Sequence, residues 1–328
     1  MKRVGILFGM ENTFPGALVA KINEMNAGVI AENVQVGVTT MAEPTTYDLI
    51  IDRISQDVPY YRSYLKNAVL GGTIVVNNPF WWSADDKFFN YALMSKLDVA
   101  IPKTVLVPSH QHPPSTTSQS FRNMVYPIDW KAAFASIGFP AFFKPHSGGG
   151  WKNVYKVHNE GDFFHYYHQT GDLVMTLQEN IEFEEYFRCY CIGGENVHIM
   201  RYDPKQPHES RYVKDAPPIG PKLYERMVND CRTICRALGY DINTIEFAVR
   251  EGIPYAIDFL NPAPDADYHS VGSENFTWIV NAVAEFAVKK VLSGEKAAAE
   301  YRWASFLNGQ NPETEKSSPK RSVKASRK

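Results

Sequence analysis

Residues 245–259 read IEFAVREGIPYAIDF, two β-prone segments hinged at Glu251-Gly252, and this pattern constrains the fold more than any other stretch of the chain. Ile245, Phe247 and Val249 before the turn, and Tyr255, Ile257 and Phe259 after it, alternate with other positions, which predicts antiparallel strands joined by a tight turn. Glu246 and Asp258 sit on these strands twelve residues apart, with Asn261 following. Charges facing a strand's packed side are costly unless a cation or a partner meets them. All three residues are hard oxygen ligands, the type Mg²⁺ takes beside nucleotide phosphates. The competing reading is two solvated strand carboxylates and an ordinary turn asparagine before Pro262.

Further upstream, residues 138–157 (GFPAFFKPHSGGGWKNVYKV) predict a strand carrying Lys144, a glycine-rich turn and a second strand. Ser147, Gly148, Gly149 and Gly150 would let backbone amides approach an anion unobstructed, and Lys144 adds a point charge suited to phosphate. A dinucleotide fingerprint would need GxGxxG opening a helix, and a Walker loop would need GKS or GKT after its glycines; neither occurs here. A flexible hairpin is the plainer alternative.

Residues 75–108 predict a strand end, a helix and another strand. Ser83 is the expected N-cap and Asp86 falls in the first turn, while Phe88, Tyr91, Ala92 and Leu97 recur at helical spacing. Lys87 then stands at a helix N-terminus, where positive partial charge disfavours a lysine unless an anion is bound. Residues 173–204 predict a strand ending at Gln178-Glu179, a short connection, a strand through Arg188, a Gly193-Gly194 turn and a return strand ending at Arg201. Main-chain groups of such a connection can serve an adenine edge, with Glu184 or Glu185 near ribose hydroxyls and Arg188 and Arg201 reaching phosphate. Taken singly, each of these charges also suits a solvated surface.

The 328 residues are 44% hydrophobic with a net charge of −2, enough to bury substantial cores in two or three compact units. No apolar run reaches the length of a signal peptide or membrane span, so a cytoplasmic protein is expected. The N-terminal strand VGILFG, a helix from Pro15 to Met25 and the strand DLIIDRI predict a small parallel sheet. Residues 129–138 predict a short helix, 204–221 a proline-rich connection, and LYERMVNDCRTICRALG an amphipathic helix. The four cysteines are expected as reduced core residues, Cys189 and Cys191 on opposite faces of a strand, Cys231 and Cys235 on a helix. From Gly309 the chain is nearly devoid of apolar residues and net basic, which predicts disorder.

Taken together and in this order, the four elements resemble the ATP-grasp superfamily from about residue 75 to about 285, with closest likeness to the glutathione synthetase and ribosomal-protein glutamate ligase group. The resemblance implies an α/β (α+β grasp) fold with ATP held between two α+β subdomains. It divides the chain into an N-terminal pre-grasp domain (1–80), a central part with linking helix and glycine-rich lid (81–185), a C-terminal subdomain with the metal site (186–308) and a basic tail (309–328). Lys87 and Lys144 are implied as phosphate-facing lysines, Ser147 to Lys152 as the lid, and Gln178, Glu179, Asn180 and Ile181 as the adenine hinge, with Glu185 beside the nucleotide. Glu246, Asp258 and Asn261 are implied as ligands of Mg²⁺, or of Mn²⁺ in its place, and Arg188 and Arg201 as catalytic. Asp258 and Asn261 are three apart, so their convergence calls for a bulge at Phe259-Leu260 or a strand end.

The implied reaction is ADP-forming ligation of a carboxylate to an amine through an acyl phosphate, chemistry that needs positioning and charge neutralisation rather than a nucleophilic side chain. A kinase acting on a hydroxyl, or a nucleotide-binding scaffold without turnover, are the alternatives. Expected partners are a small carboxylic acid and an amine, with no membrane or nucleic acid partner, and a homodimer is compatible with the reading. Asp265, Asp267 and His269 are candidates to hold the amine, and Arg211 or Lys214 a carboxylate; His146 could line the site.

Overall fold

The computed structural model describes residues 1–81, 86–149, 151–207, 210–213, 217–295 and 297. Ser83, Gly150, Lys214 and the tail from residue 309 lie outside the described residues. Three four-stranded sheets carry the architecture.

The first is parallel throughout, in the order β2-β1-β3-β4, built from β1 (Lys2–Leu7), β2 (Val29–Asn33), β3 (Leu49–Asp52) and β4 (Ile74–Val76). Helix α1 (Phe14–Glu24) links β1 to β2, and α2 (Pro59–Leu70) links β3 to β4. All four residues of β3 are buried, as a strand covered on both faces requires. Both helices place a proline in the first turn, where its missing N–H is no loss.

The second sheet is antiparallel, ordered β5-β8-β6-β7, from β5 (Thr104–Val107), β6 (Ala141–Pro145), β7 (Tyr155–Val157) and β8 (Met175–Glu179). Strand alternation sends Ala141, Phe143, Met175 and Leu177 into a core with α4 (Trp130–Ile137) and α5 (Glu160–Tyr167). Trp130, Phe134, Phe163 and Tyr167 fill that core with rings in edge-on, tilted and stacked contact. Each fully buried large side chain there is worth about 1.5–3 kcal/mol. The opposite face presents Phe142, Lys144 and Gln178.

The third sheet, ordered β10-β9-β11-β12, comprises β9 (Glu185–Ile192), β10 (Asn196–Arg201), β11 (Ile242–Arg250) and β12 (Ile253–Asp258). One face packs on α3 (Lys87–Lys96) and α6 (Pro221–Leu238). Helix α6 ends at Gly239, which has φ +80° and lies where a Cβ would meet the Trp81 ring at 2.6 Å. Toward its β10 end, the other face shares a core with the first sheet and α8 (Ser273–Leu292), preceded by the single turn α7 (Tyr268–Val271).

Two expectations change here. Asp86 is the N-cap of α3, its side chain accepting from the Phe89 amide at 3.0 Å, because the helix begins at Lys87 rather than three residues earlier. Cys189 and Cys191 lie on the same face of β9, since residues two apart in a strand point the same way. Both pack against Cys231 and Cys235 of α6, and all four thiols are buried and free.

Candidate active site

Register in the hairpin β11–β12 decides where its acids point. Arg250 pairs with Ile253, Val249 with Pro254, Ala248 with Tyr255 and Phe247 with Ala256. Continued without interruption, this ladder would set Glu246 against Ile257 and turn Asp258 toward the core that holds Ala256. Instead the register shifts between Glu246 and Phe247, and Glu246 pairs with Asp258. The extra residue is Ile257, so the bulge lies in β12 and the strand then ends at Asp258. Consequently Glu246, Ile257 and Asp258 all face one cavity. Glu251 and Gly252 both take positive φ (54° and 72°), the backbone of a tight hairpin turn.

That cavity, about 320 Å³, lies between the open face of the second sheet and the acid-bearing face of the third. Phe142, Lys144 and Gln178 line it from one side; Tyr186, Glu246, Ala248 and Asp258 line it from the other. Glu179, Asn180 and Ile181 close one end as the chain passes from β8 to β9. Neither Asn180 nor Ile181 forms a main-chain hydrogen bond among the described residues, whereas both carboxylate oxygens of Glu179 are engaged, by Arg250 at 2.9 Å and by the Lys103 amide at 3.2 Å. Ser147, Gly148 and Gly149 form part of the rim with Trp151, whose side chain is exposed.

Lys144 is half-buried in the cavity wall and its ammonium donates to the Tyr91 hydroxyl and to Gln178 Oε1, each at 2.8 Å. Burial drives its pKa down to about 8, against the pull of Asp258 and Glu246. Tyr91 in turn donates to the carbonyl of the bulged residue Ile257 at 2.9 Å. One hydroxyl thus joins α3, β6 and the bulge. Lys87 opens α3 with its amide bonded to His146 O at 2.8 Å, tying the helix to the start of the glycine turn, and its ammonium lies 3.8 Å from Asp258 Oδ1.

The two acids differ in character. Burial opposes ionisation of Asp258, but Lys87, Lys144 and Arg188 outweigh it and hold the carboxyl below the usual carboxylate range. Burial raises Glu246; Arg188 opposes that rise and the charge of Asp258 adds to it. Tyr186 donates to Glu246 Oε2 at 2.7 Å, and Arg188, directly opposite Glu246 in the β9–β11 register, approaches Oε1 to 3.8 Å. Two adjoining carboxylates, one of them resisting ionisation, fit a hard divalent cation, which would satisfy both charges at once. No group of three or more His, Cys, Asp or Glu side chains disposed around a metal position occurs among the described residues. Further oxygens would come from phosphate or water.

Of the other residues singled out from sequence, Arg188 stands directly behind Glu246, while Glu185, Arg201 and Asn261 do not line the cavity. Glu185 and Arg201 bond each other at 2.6 Å, and Arg201 also donates to Pro217 O. The Asn261 amide group donates to Thr244 O at 3.0 Å, and its main-chain N–H donates to Asn243 Oδ1 at 3.1 Å. Asp267 caps α7 and Asp265 accepts from Ser270 and from the Asp267 amide, so both are engaged locally. His146 is held against Val174 O and is not in the lining. Sequence reasoning missed Tyr91 and Tyr186 as site residues. Tyr186 could have been found by stepping two residues back from Arg188 along one strand face; Tyr91 looked like an ordinary apolar helix position.

No protein-family model matches the chain, and no curated protein matches its sequence. Solved structures do match. The D-alanine–D-alanine ligase from Bacillus anthracis complexed with ATP superposes with a TM-score of 0.59 at 14% identity, over 90% of this chain and 99% of that one. The RimK domain ATP-grasp protein from Sphaerobacter thermophilus gives 0.61 at 18% identity, over 87% and 98%. The ATP-grasp ligase PsnB, complexed with minimal precursor, Mg and ADP, gives 0.57 at 12% identity, over 88% and 96%. Likeness over nearly the whole of each chain, with the second and third sheets facing each other across one cavity, establishes that this protein has the ATP-grasp fold.

Proposed function

We propose that the protein is an ATP-dependent, ADP-forming carboxylate–amine ligase. The observation that carries the reading is the bulge-directed pair Glu246 and Asp258, facing Lys87 and Lys144 across a cavity of about 320 Å³. Three named structural neighbours with this fold add support, two of them described as ligases and two holding ATP or ADP.

In this reading the adenine lies against the free main-chain groups of Asn180 and Ile181, and Lys144 and Lys87 meet the phosphates. Mg²⁺, or Mn²⁺ in its place, held by Glu246 and Asp258, would neutralise charge on the β and γ phosphates. Arg188, fixed behind Glu246, stabilises charge on the transferring phosphoryl group. Ser147, Gly148 and Gly149 offer main-chain donors at the rim. The acid's carboxylate oxygen bonds to the γ phosphorus as the bond to ADP breaks, giving an acyl phosphate. The amine nitrogen then bonds to the acyl carbon, phosphate leaves, and the nitrogen loses a proton. Glu185 and Arg201 serve the site as an ion pair that braces the β9–β10 edge, and Asn261 supports the acids by pinning the end of β12 to β11. The division into units 1–80, 81–185 and 186–308 belongs to the same proposal, each unit contributing one sheet.

The test is ADP and phosphate release from Mg·ATP against a panel of carboxylic acids and amines, with mass spectrometry of products. The ligase yields a product lighter than the two substrates together by one water. A phosphorylated alcohol would replace this reading with a kinase, and unconsumed ATP throughout would replace it with a nucleotide-binding scaffold. Lys144→Ala and Asp258→Asn are each expected to abolish turnover in a folded chain; near-normal rates in both would sink the site assignment.

A further inference from the structure

The two acids that face the cavity are held differently. Lys87 Nζ stands 3.8 Å from Asp258 Oδ1, and among the described residues no side chain donates a hydrogen bond to that carboxylate. Glu246 has one oxygen already taken, because the Tyr186 hydroxyl donates to its Oε2 at 2.7 Å. Its Oε1 has Arg188 Nε at 3.8 Å, beyond hydrogen-bond reach. One oxygen of Glu246 is thus committed within the protein and the other is not.

Strand geometry gives Tyr186 this reach. In the β9–β11 register it lies opposite Ala248, which makes Glu246 its diagonal neighbour, a spacing that an aromatic side chain spans. The Phe183 ring meets the Tyr186 ring at 5.0 Å and the Tyr202 ring at 6.1 Å, while the Tyr202 amide donates to Tyr186 O at 3.0 Å. Braced at its ring and its backbone, Tyr186 keeps its single hydroxyl proton aimed at one oxygen. Hard cations differ in what they ask of such an acid. Ca²⁺ takes roughly six to eight oxygens and accepts both oxygens of one carboxylate, whereas Mg²⁺ demands near-octahedral geometry and is bound through one or two carboxylates with phosphate oxygens and water. An acid with one oxygen withheld therefore suits Mg²⁺. Partners that orient a metal-binding carboxylate contribute about 10–100-fold in affinity.

We propose that Tyr186 is a positioning residue that selects the cation: by holding Glu246 Oε2 it limits that acid to one oxygen and favours Mg²⁺ over Ca²⁺. The inference rests on the reading of Glu246 and Asp258 as cation ligands. The experiment counts protein-bound Mn²⁺ by electron paramagnetic resonance in the full chain with saturating ADP, then displaces it with Mg²⁺ or with Ca²⁺, so no turnover is required. ADP is common to every sample, and its own cation preference cancels between native protein and variant. Tyr186→Phe keeps the ring and its contacts and removes only the hydroxyl. It is expected to lower the preference for Mg²⁺ over Ca²⁺ by about ten-fold or more, with the thermal midpoint within a few degrees of the native value. Tyr202→Phe removes a neighbouring hydroxyl that meets Arg211 rather than Glu246, and should leave the preference unchanged. An unchanged preference in Tyr186→Phe, or affinity for both cations falling by the same factor, overturns the proposal and leaves the acids as ligands. No protein-bound Mn²⁺ in the native chain, or binding retained in full by Asp258→Asn, overturns the acids as ligands and the proposal with them.

Discussion

Lys144 offers a quantitative test of nucleotide binding. With its pKa at about 8, the ammonium in the ligand-free protein is poised to lose its proton just above neutrality. Phosphate oxygens beside it favour the charged form and return it toward its ordinary value near 10.4. Binding should therefore take up roughly 0.1 proton at pH 7, 0.5 at pH 8 and 0.9 at pH 9, and above pH 8 affinity should weaken by about 1.4 kcal/mol per pH unit. The sign for folding is the same in origin. A lysine depressed in the folded state binds fewer protons than in the unfolded chain between pH 8 and 10.5, so its contribution to stability rises with pH across that window and is lost as pH falls through 8. The assay is calorimetric titration of Mg·ATP analogue in two buffers of different ionisation enthalpy at pH 7, 8 and 9, with Lys144→Met as the reference that removes the group. Proton uptake at pH 8 no larger in the native protein than in Lys144→Met would refute the placement of Lys144 against phosphate.

Two further outcomes follow from contacts already described. Tyr91→Phe takes an acceptor from Lys144 and a donor from Ile257 O, so the chain should lose about 1–3 kcal/mol of stability, read as a lower urea midpoint; an unchanged midpoint would mean that the hydroxyl holds nothing in place. The four cysteines should resist thiol reagents in the native protein and all react after denaturation, because each is buried and burial raises the thiols of Cys231 and Cys235; rapid native labelling would contradict the packing of α6 on β9.

Much of this fold can be read from local pattern. Alternation around Glu251-Gly252 specifies β11 and β12, the apolar run and Lys144 specify β6, and the spacing of Tyr91 and Leu97 specifies α3. Strand β2 and helix α2 escape that reading. VIAEN is short and half exposed, and PYYRSYLKNAVL buries only Leu65, Ala68 and Val69, too narrow a stripe to stand out. For the site, residue types and order are legible, whereas register is not. A bulge at Phe259-Leu260 or a strand end there was expected; β12 ends at Asp258, and its bulge falls at Ile257, where a tyrosine 166 residues away holds the carbonyl. Pairing within the β9–β10 hairpin likewise decides that Glu185 and Arg201 bond each other, because each charge is read singly in sequence and only the folded hairpin makes them neighbours.

The Tyr91 hydroxyl gives the site a mechanical property. Lys87 and Tyr91 ride on one helix, Lys144 on a strand of the second sheet, and Asp258 at the end of a strand of the third. Were these three supports free to drift, the spacing between cations and acids would vary with every breathing motion of the sheets. The paired bonds from Lys144 to Tyr91 and from Tyr91 to Ile257, with the Lys87 amide clasping His146, make the supports move as one piece. A displacement of any one support is therefore passed to the other two, and the spacing between cations and acids is set by all three together.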